Sequence, residues 1–281
     1  MLEAAKLIPA QSDLGNKSEY NPHYNPDKLF PILRKFNRDK ISIPEKLPFF
    51  GFDIWNHYEV SWLNEKGKPI VGIAEIIYGC DSLYIIESKS MKLYFNSFNN
   101  TKFRNVETLN STIKNDLEIR IGLSVNVKVI LQKDVTEEKL FSGFNGICID
   151  ELDINCSHYT INPSLLYNEE TYVSETLYSN LLKSNCFVTN QPDWGSIQID
   201  YEGKKINHPG LLRYIVSFRN CNEFSETSIE QIFMDIMQYC KPTKLTVYGR
   251  FTRRGGIDIN PYRSTSHCIT HDKINLRFCR Q

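Results

Sequence analysis

Tyr94-Phe95-Asn96-Ser97-Phe98-Asn99-Asn100, followed shortly by Phe103, returns about 120 residues later as Tyr214-Ile215-Val216-Ser217-Phe218-Arg219-Asn220, followed by Phe224. A segment used twice at long spacing marks a repeated structural unit. Each copy precedes a second helical pattern. Phe103, Val106, Leu109, Ile113 and Leu117 recur at helical spacing in the first; Ile229, Ile232, Phe233, Ile236 and Met237 do so in the second. Thr227 with Glu230 predicts a capping box for the latter helix. An alternating strand follows each pair, with Val125, Val127, Val129 and Leu131 on one face of the first, and Leu245, Val247 and Phe251 on one face of the second. Strands also precede each pair, over Ile70 to Tyr78 and Ser196 to Tyr201. The plan is strand, strand, helix, helix, strand, strand, used twice. It predicts an α+β protein of two antiparallel modules, each with a pair of helices, not a doubly wound parallel sheet.

Working outward, the first 45 residues are polar and punctuated by Pro22, Pro26, Pro31 and Pro44, and read as an extended arm. Residues 46–150 form the expected first module and 151–281 the second. Hydrophobic residues make up 41% and charged residues 23% of the 281, a globular composition. The 33 basic residues balance 33 acidic ones, so no global positive field would draw nucleic acid or an anionic membrane. No run approaches the ~18 apolar residues that a membrane span needs. Eight scattered cysteines without a secretory leader point to reduced thiols in the cytoplasm. No CxxC pair suggests structural zinc; His267-Cys268-Ile269-Thr270-His271 brings metal-ligand types close together, but within a polar tail.

Four segments carry polar residues that amphipathic patterning does not explain. Glu87-Ser88-Lys89-Ser90-Met91-Lys92-Leu93-Tyr94 stands where a strand over Ser82 to Ile86 gives way to a helix. Ser88 or Ser90 could cap that helix, whose amides suit an anion. Lys89 and Lys92 share a face and could hold phosphate, or simply be solvated. In Ser184-Asn185-Cys186-Phe187-Val188-Thr189-Asn190-Gln191-Pro192-Asp193-Trp194-Gly195-Ser196, a cysteine and a carboxylate sit seven residues apart. A thiolate can attack carbon while a nearby acid protonates the atom that gains charge, although most single cysteines are small buried hydrophobes. Asn222-Glu223-Phe224-Ser225-Glu226 could clamp a planar base between carboxylates and an aromatic ring, or complement a helix dipole. Arg253-Arg254-Gly255-Gly256, running on to Arg263, suits close approach to phosphate, or is a basic turn between strands. No GxGxxG nucleotide fingerprint is present.

Together these segments resemble the 7-cyano-7-deazaguanine reductases of queuosine biosynthesis, in their long two-module form. The run Glu87 to Tyr94, Ser-Asn-Cys followed by Gln-Pro-Asp-Trp-Gly-Ser, Leu211-Leu212-Arg213-Tyr214 with Ser217-Phe218-Arg219, and Thr252 to Gly256 with Asn260-Pro261-Tyr262-Arg263 carry the likeness. It spans roughly Phe49 to Ser264. The resemblance implies tandem tunnelling-fold modules, a homodimer, and NADPH-dependent four-electron reduction of the nitrile of 7-cyano-7-deazaguanine, with no metal and no direct contact to nucleic acid. It implies Cys186 as nucleophile and Asp193 as proton donor; Ile86, Glu87, Ser88, Phe224, Ser225 and Glu226 around the substrate; and Ser88, Lys89, Arg254 and Gly255 around NADPH. One departure stands out. After Asn-Glu-Phe the family usually has His-Glu, and here it is Ser225-Glu226. Serine does not titrate near neutrality as histidine does, which leaves open a catalytically weakened deazapurine-binding protein on the same scaffold.

Overall fold

The structure, a computed structural model, describes Tyr20 and residues 22–135, 140–187, 189–267 and 274–281. Among the described residues twelve strands and five α-helices follow in order: β1 (Pro31–Leu33), α1 (Arg34–Lys40), β2 (Phe50–Leu63), β3 (Pro69–Gly79), β4 (Tyr84–Ile86), α2 (Ser88–Asn96), α3 (Val106–Ile121), β5 (Val125–Leu131), β6 (Leu140–Phe141), β7 (Ile147–Cys148), β8 (Asn168–Asn185), β9 (Pro192–Ile206), α4 (His208–Ser217), α5 (Ser225–Tyr239), β10 (Lys244–Phe251), β11 (Ile257–Ser264) and β12 (Arg277–Phe278). The chain divides into two compact units. Unit 1 is Met1–Asn37, Ile54–Glu138 and Arg253–Asp258; unit 2 is Arg38–Asp53, Lys139–Thr252 and Ile259–Gln281.

In unit 1 the strand order is β5-β3-β2. β3 pairs antiparallel with β5 from Gly72↔Leu131 to Tyr78↔Val125. Helix α3 buries Leu109, Ile113, Leu117 and Ile121, one residue per turn, and packs on β5. Asn105 caps its start, and Gly122, in the left-handed region at φ 76°, ends it. In unit 2 the order is β11-β10-β9-β8-β7. The long hairpin β8–β9 runs from Asn168↔Ile206 to Asn185↔Pro192, and β10 pairs antiparallel with both β9 and β11. Helix α5 packs on β10. The α+β class, the antiparallel sheets and the pair of helices in each unit are as the sequence predicts. The two-residue strands β6 and β7 pair in parallel, with β12 and β8.

Two expectations need correction. The described part of the arm is not a detached extension. Leu29 and Ile32 are buried, β1 pairs with β4, and Tyr24 stacks on Phe98 at 5.5 Å. The short apolar run Leu29-Phe30-Pro31-Ile32-Leu33 is long enough to join a hydrophobic core. The capping box at Thr227 does not form either. Helix α5 begins at Ser225 after Phe224, without a side-chain cap, and Thr227 lies inside it. Glu230 instead meets two guanidinium groups, at 2.6 Å from Arg38 and 2.8 Å from Arg263. A buried carboxylate gains more from two charge-assisted partners than from one backbone amide. No helix among the described residues is long and apolar enough to cross a membrane. Beyond His267, the histidine–cysteine tail motif lies outside the described residues.

Candidate active site

The candidate residues gather in two clusters, one in each unit. The cluster of unit 2 is built on the tip of the β8–β9 hairpin. Strand pairing ends at Asn185↔Pro192, with Ser184 opposite Asp193. Cys186 follows directly. Its amide donates to the Gln191 carbonyl at 2.8 Å, and its carbonyl accepts from the Asn190 amide at 3.0 Å. Asn190 closes this loop in the left-handed region at φ 55°, a conformation asparagine tolerates. These bonds tie the described ends of the loop together, and its cysteine is only 5% exposed.

A second segment holds the tip in place. The Asn185 amide donates to the Cys221 carbonyl at 2.7 Å, and the Glu223 amide donates to the Asn185 carbonyl at 3.2 Å. Side chains repeat the tie: Asn185 donates to Asn222 at 3.0 Å, and Asn222 to Asn190 at 2.6 Å. The Phe187 and Phe224 rings lie 5.9 Å apart, and the Lys40 ammonium sits 4.6 Å over Phe187. So the structure brings Cys186 and its loop against Phe224, and with it Ser225 and Glu226 in the first turn of α5. Glu226 is buried at 3% exposure. Burial pushes the Glu223 carboxyl up against the pull of Lys40. It also pushes the neighbouring Cys221 thiol up to about 11, with help from Glu223, so Cys221 stays protonated at neutral pH. Lys183 donates to the Asn185 side chain at 2.5 Å and to the Arg219 carbonyl at 2.6 Å. Its ammonium is lowered by burial and by Arg219, and supported by Asp193. Asn185 and Asn222 lie within the quoted motifs and Lys183 directly before one, whereas Lys40, in the N-terminal arm, carries no signal of its own in the sequence.

In unit 1, β4 delivers Ile86 and Glu87 to the start of α2. Glu87, not either serine, is the N-cap. Its carboxylate accepts from the Lys89 and Ser90 amides at 2.7 Å each, while Ser90 Oγ donates back to the Glu87 carbonyl. The expected anion-binding amides of this helix are therefore already engaged by a side chain that is 1% exposed. Burial pushes the Glu87 carboxyl up, and the two amides and Ser88 partly offset it. The residues 254–257 form a two-residue hairpin turn, with Arg254 and Ile257 exchanging backbone bonds at 2.9 and 3.3 Å. Its central residues Gly255 and Gly256 have φ of 62° and 78°, as such turns require. Lys92 ties this turn to α2 by donating to the Gly255 carbonyl at 2.8 Å. The candidate cofactor residues Ser88, Lys89, Arg254 and Gly255 therefore lie on joined elements of one unit.

Known proteins match this chain along nearly its whole length. Residues 20–129 match a family described as "Nitrile reductase, 7-cyano-7-deazaguanine-reductase N-term", and residues 192–268 one described as "QueF-like protein". An NADPH-dependent 7-cyano-7-deazaguanine reductase of Legionella pneumophila (strain Lens) is 57% identical over 275 residues, 98% of this chain and 96% of its own. The chain belongs to the 7-cyano-7-deazaguanine reductase family. Enzymes of the same name from Cupriavidus pinatubonensis and Polaromonas sp. are 50% identical, over 98% and 97% of this chain and 99% of each of theirs.

Relatives in this reductase family are named for NADPH, and the residues of unit 1 fit such a group. Lys89 and Arg254 are charged donors of the kind a phosphate would need, and Arg253, next to Arg254 in the chain, holds its guanidinium 4.3 Å over the Tyr58 ring. A Cβ on Gly255 would meet Lys92 at 3.1 Å, and one on Gly256 would meet Glu59 at 2.5 Å, so the turn must stay bare. A bare turn beside cations lets backbone approach phosphate closely.

Proposed function

We propose that this chain reduces the nitrile of 7-cyano-7-deazaguanine to the amine of 7-aminomethyl-7-deazaguanine, in the cytoplasm, with Cys186 as the nucleophile. The observation that carries the assignment of roles is the buried Cys186 at the hairpin tip, tied through Asn185 and Asn190 to the segment presenting Phe224 and Glu226. A thiol on a loop tied to a segment that carries an aromatic ring and two carboxylates suits attack on a group carried by a planar, donor-rich heterocycle.

In this reading the Cys186 S–H adds across the C≡N bond. Sulfur bonds to carbon, one π pair moves to nitrogen, and Asp193 carries the proton there, giving a covalent thioimide. NADPH, when bound, supplies the hydride equivalents that the carbon requires. The thiolate leaves carbon as a C=N bond re-forms, which regenerates Cys186 before the imine is taken to the amine. Glu87 and Glu226 accept from the N–H edge of the ring, Phe224 stacks on it, and Ile86, Ser88 and Ser225 complete its surroundings. Lys89, Ser88, Arg254 and the Gly255 backbone hold the cofactor. Likeness to the long two-module form supports a homodimer.

The test is intact mass after incubation with the nitrile and no NADPH. One ligand mass should appear and map to Cys186, not to Cys221. Adduct on a Cys186→Ala protein would sink the assignment. Serine at 225 favours a second reading, a deazapurine-binding protein with little turnover, and NADPH oxidation in the presence of the nitrile separates the two.

A further inference from the structure

Lys92 lies one helical turn after Lys89 on α2, and the spacing alone would make it a second phosphate ligand. Its ammonium is engaged otherwise. It donates to Glu59 Oε2 on β2 at 2.8 Å and to the Gly255 carbonyl at 2.8 Å. Three elements of unit 1 therefore meet at one nitrogen: the first turns of α2, the middle of β2, and the 254–257 turn. The side chains are 31% and 55% exposed, and an exposed ion pair adds little to stability. Stability is thus a poor reason for the arrangement.

Glu59 is itself seated. Its amide donates to His57 Nδ1 at 3.0 Å, and its carboxylate lies against bare Gly256, where a Cβ would approach Oε1 to 2.9 Å. The hydrogen bond and charge of Lys92, with the charge of Arg253, hold the Glu59 carboxyl below the usual carboxylate range against the effect of burial. A negative charge therefore stands beside the turn proposed to receive phosphate, and Lys92 covers it.

We propose that Lys92 and Glu59 are a positioning pair for the cofactor turn. Lys92 fixes the Gly255 carbonyl to α2, setting the spacing between Lys89 and Arg254, and masks the Glu59 carboxylate from the incoming phosphate. This rests on the reading that Lys89 and Arg254 hold NADPH. The pair touches neither the nitrile nor the nucleophile.

The test uses full-length protein and follows the fluorescence of NADPH on titration, with nitrile adduct formation at Cys186, without NADPH, as a parallel readout. Lys92→Met loses a charge-assisted bond and exposes a like charge, so NADPH binding should weaken roughly tenfold or more. Lys92→Arg should restore most of it, because a guanidinium reaches both acceptors. Glu59→Gln should bind NADPH at least as tightly as the parent, and adding Glu59→Gln to Lys92→Met should recover part of the loss. Adduct should form in every variant. Unaltered NADPH binding by Lys92→Met, with a parent that binds normally, overturns the pair. A double variant no better than Lys92→Met overturns the masking role. Loss of adduct in Lys92→Met would refer the effect to the fold and overturn positioning. A parent that binds no NADPH overturns the proposed function, and the pair with it.

Discussion

Glu87→Gln separates two roles that fall on one carboxylate. In the folded chain Glu87 caps α2 through the Lys89 and Ser90 amides, and its side chain is buried. Loss of a helix N-cap costs ~0.5–2 kcal/mol. Glutamine keeps one carbonyl oxygen, so part of that capping survives. Burial works in the opposite direction. It raises the Glu87 carboxyl, so the unfolded chain ionises before the folded one does. The stability contributed by this group is fully present below the ordinary glutamate pKa and is lost as pH rises through the folded value. At neutral pH a neutral glutamine escapes that penalty, and the net change in stability should stay within about 1 kcal/mol. Substrate binding has no such compensation. Exchanging a charged acceptor for a neutral one against the ring N–H donors should cost ~1.5–3 kcal/mol, or roughly ten- to a hundredfold in affinity. Thermal unfolding and the nitrile concentration that half-saturates adduct formation on Cys186 should therefore diverge. A lowered unfolding temperature with unchanged half-saturation would show that Glu87 is a cap and nothing more.

Three further outcomes are expected. Ser225→His, restoring the imidazole usual in the family to the first turn of α5, should raise turnover several-fold, leave the product unchanged and add an ionisation near pH 6.5 to the rate profile; abolished adduct formation would show a pocket rebuilt around serine. Glu230→Ala strips the shared partner from part-buried Arg38 and from fully buried Arg263, which keeps Asp53 at 2.9 Å, and should cost roughly 3 kcal/mol in denaturant unfolding; a loss no larger than that of exposed Glu151→Ala would contradict it. His57, 1% exposed, is lowered to about 3 by burial, so its share of stability is complete above pH 6.5 and falls as pH drops towards 3, by about 1.4 kcal/mol per pH unit. His57→Leu should flatten that acid limb, and an unchanged slope would place the acid sensitivity elsewhere.

What the sequence by itself determined is the part of this protein written in local periodicity and local chemistry. Helices α3 and α5 were legible because their core faces recur every turn, and β5 and β10 because apolar residues alternate. The order of four polar motifs was enough for family membership, since motif chemistry is carried in consecutive residues. Long strand β8 was not legible. Its run Asn168 to Asn185 is largely polar, and only pairing with β9 along its length makes it a strand. The cap of α2 was misread for a related reason: Ser88 and Ser90 have good capping propensity, but the backbone at the end of β4 places the Glu87 carboxylate over the free amides first. Only the tertiary structure decided which charges meet. Glu230 finds Arg38 and Arg263, and Lys92 finds Glu59 and the Gly255 carbonyl, across separations of 33 to 192 residues. Such partners are chosen by how strands and helices pack, and a side chain's neighbours in space leave no periodic trace in the chain.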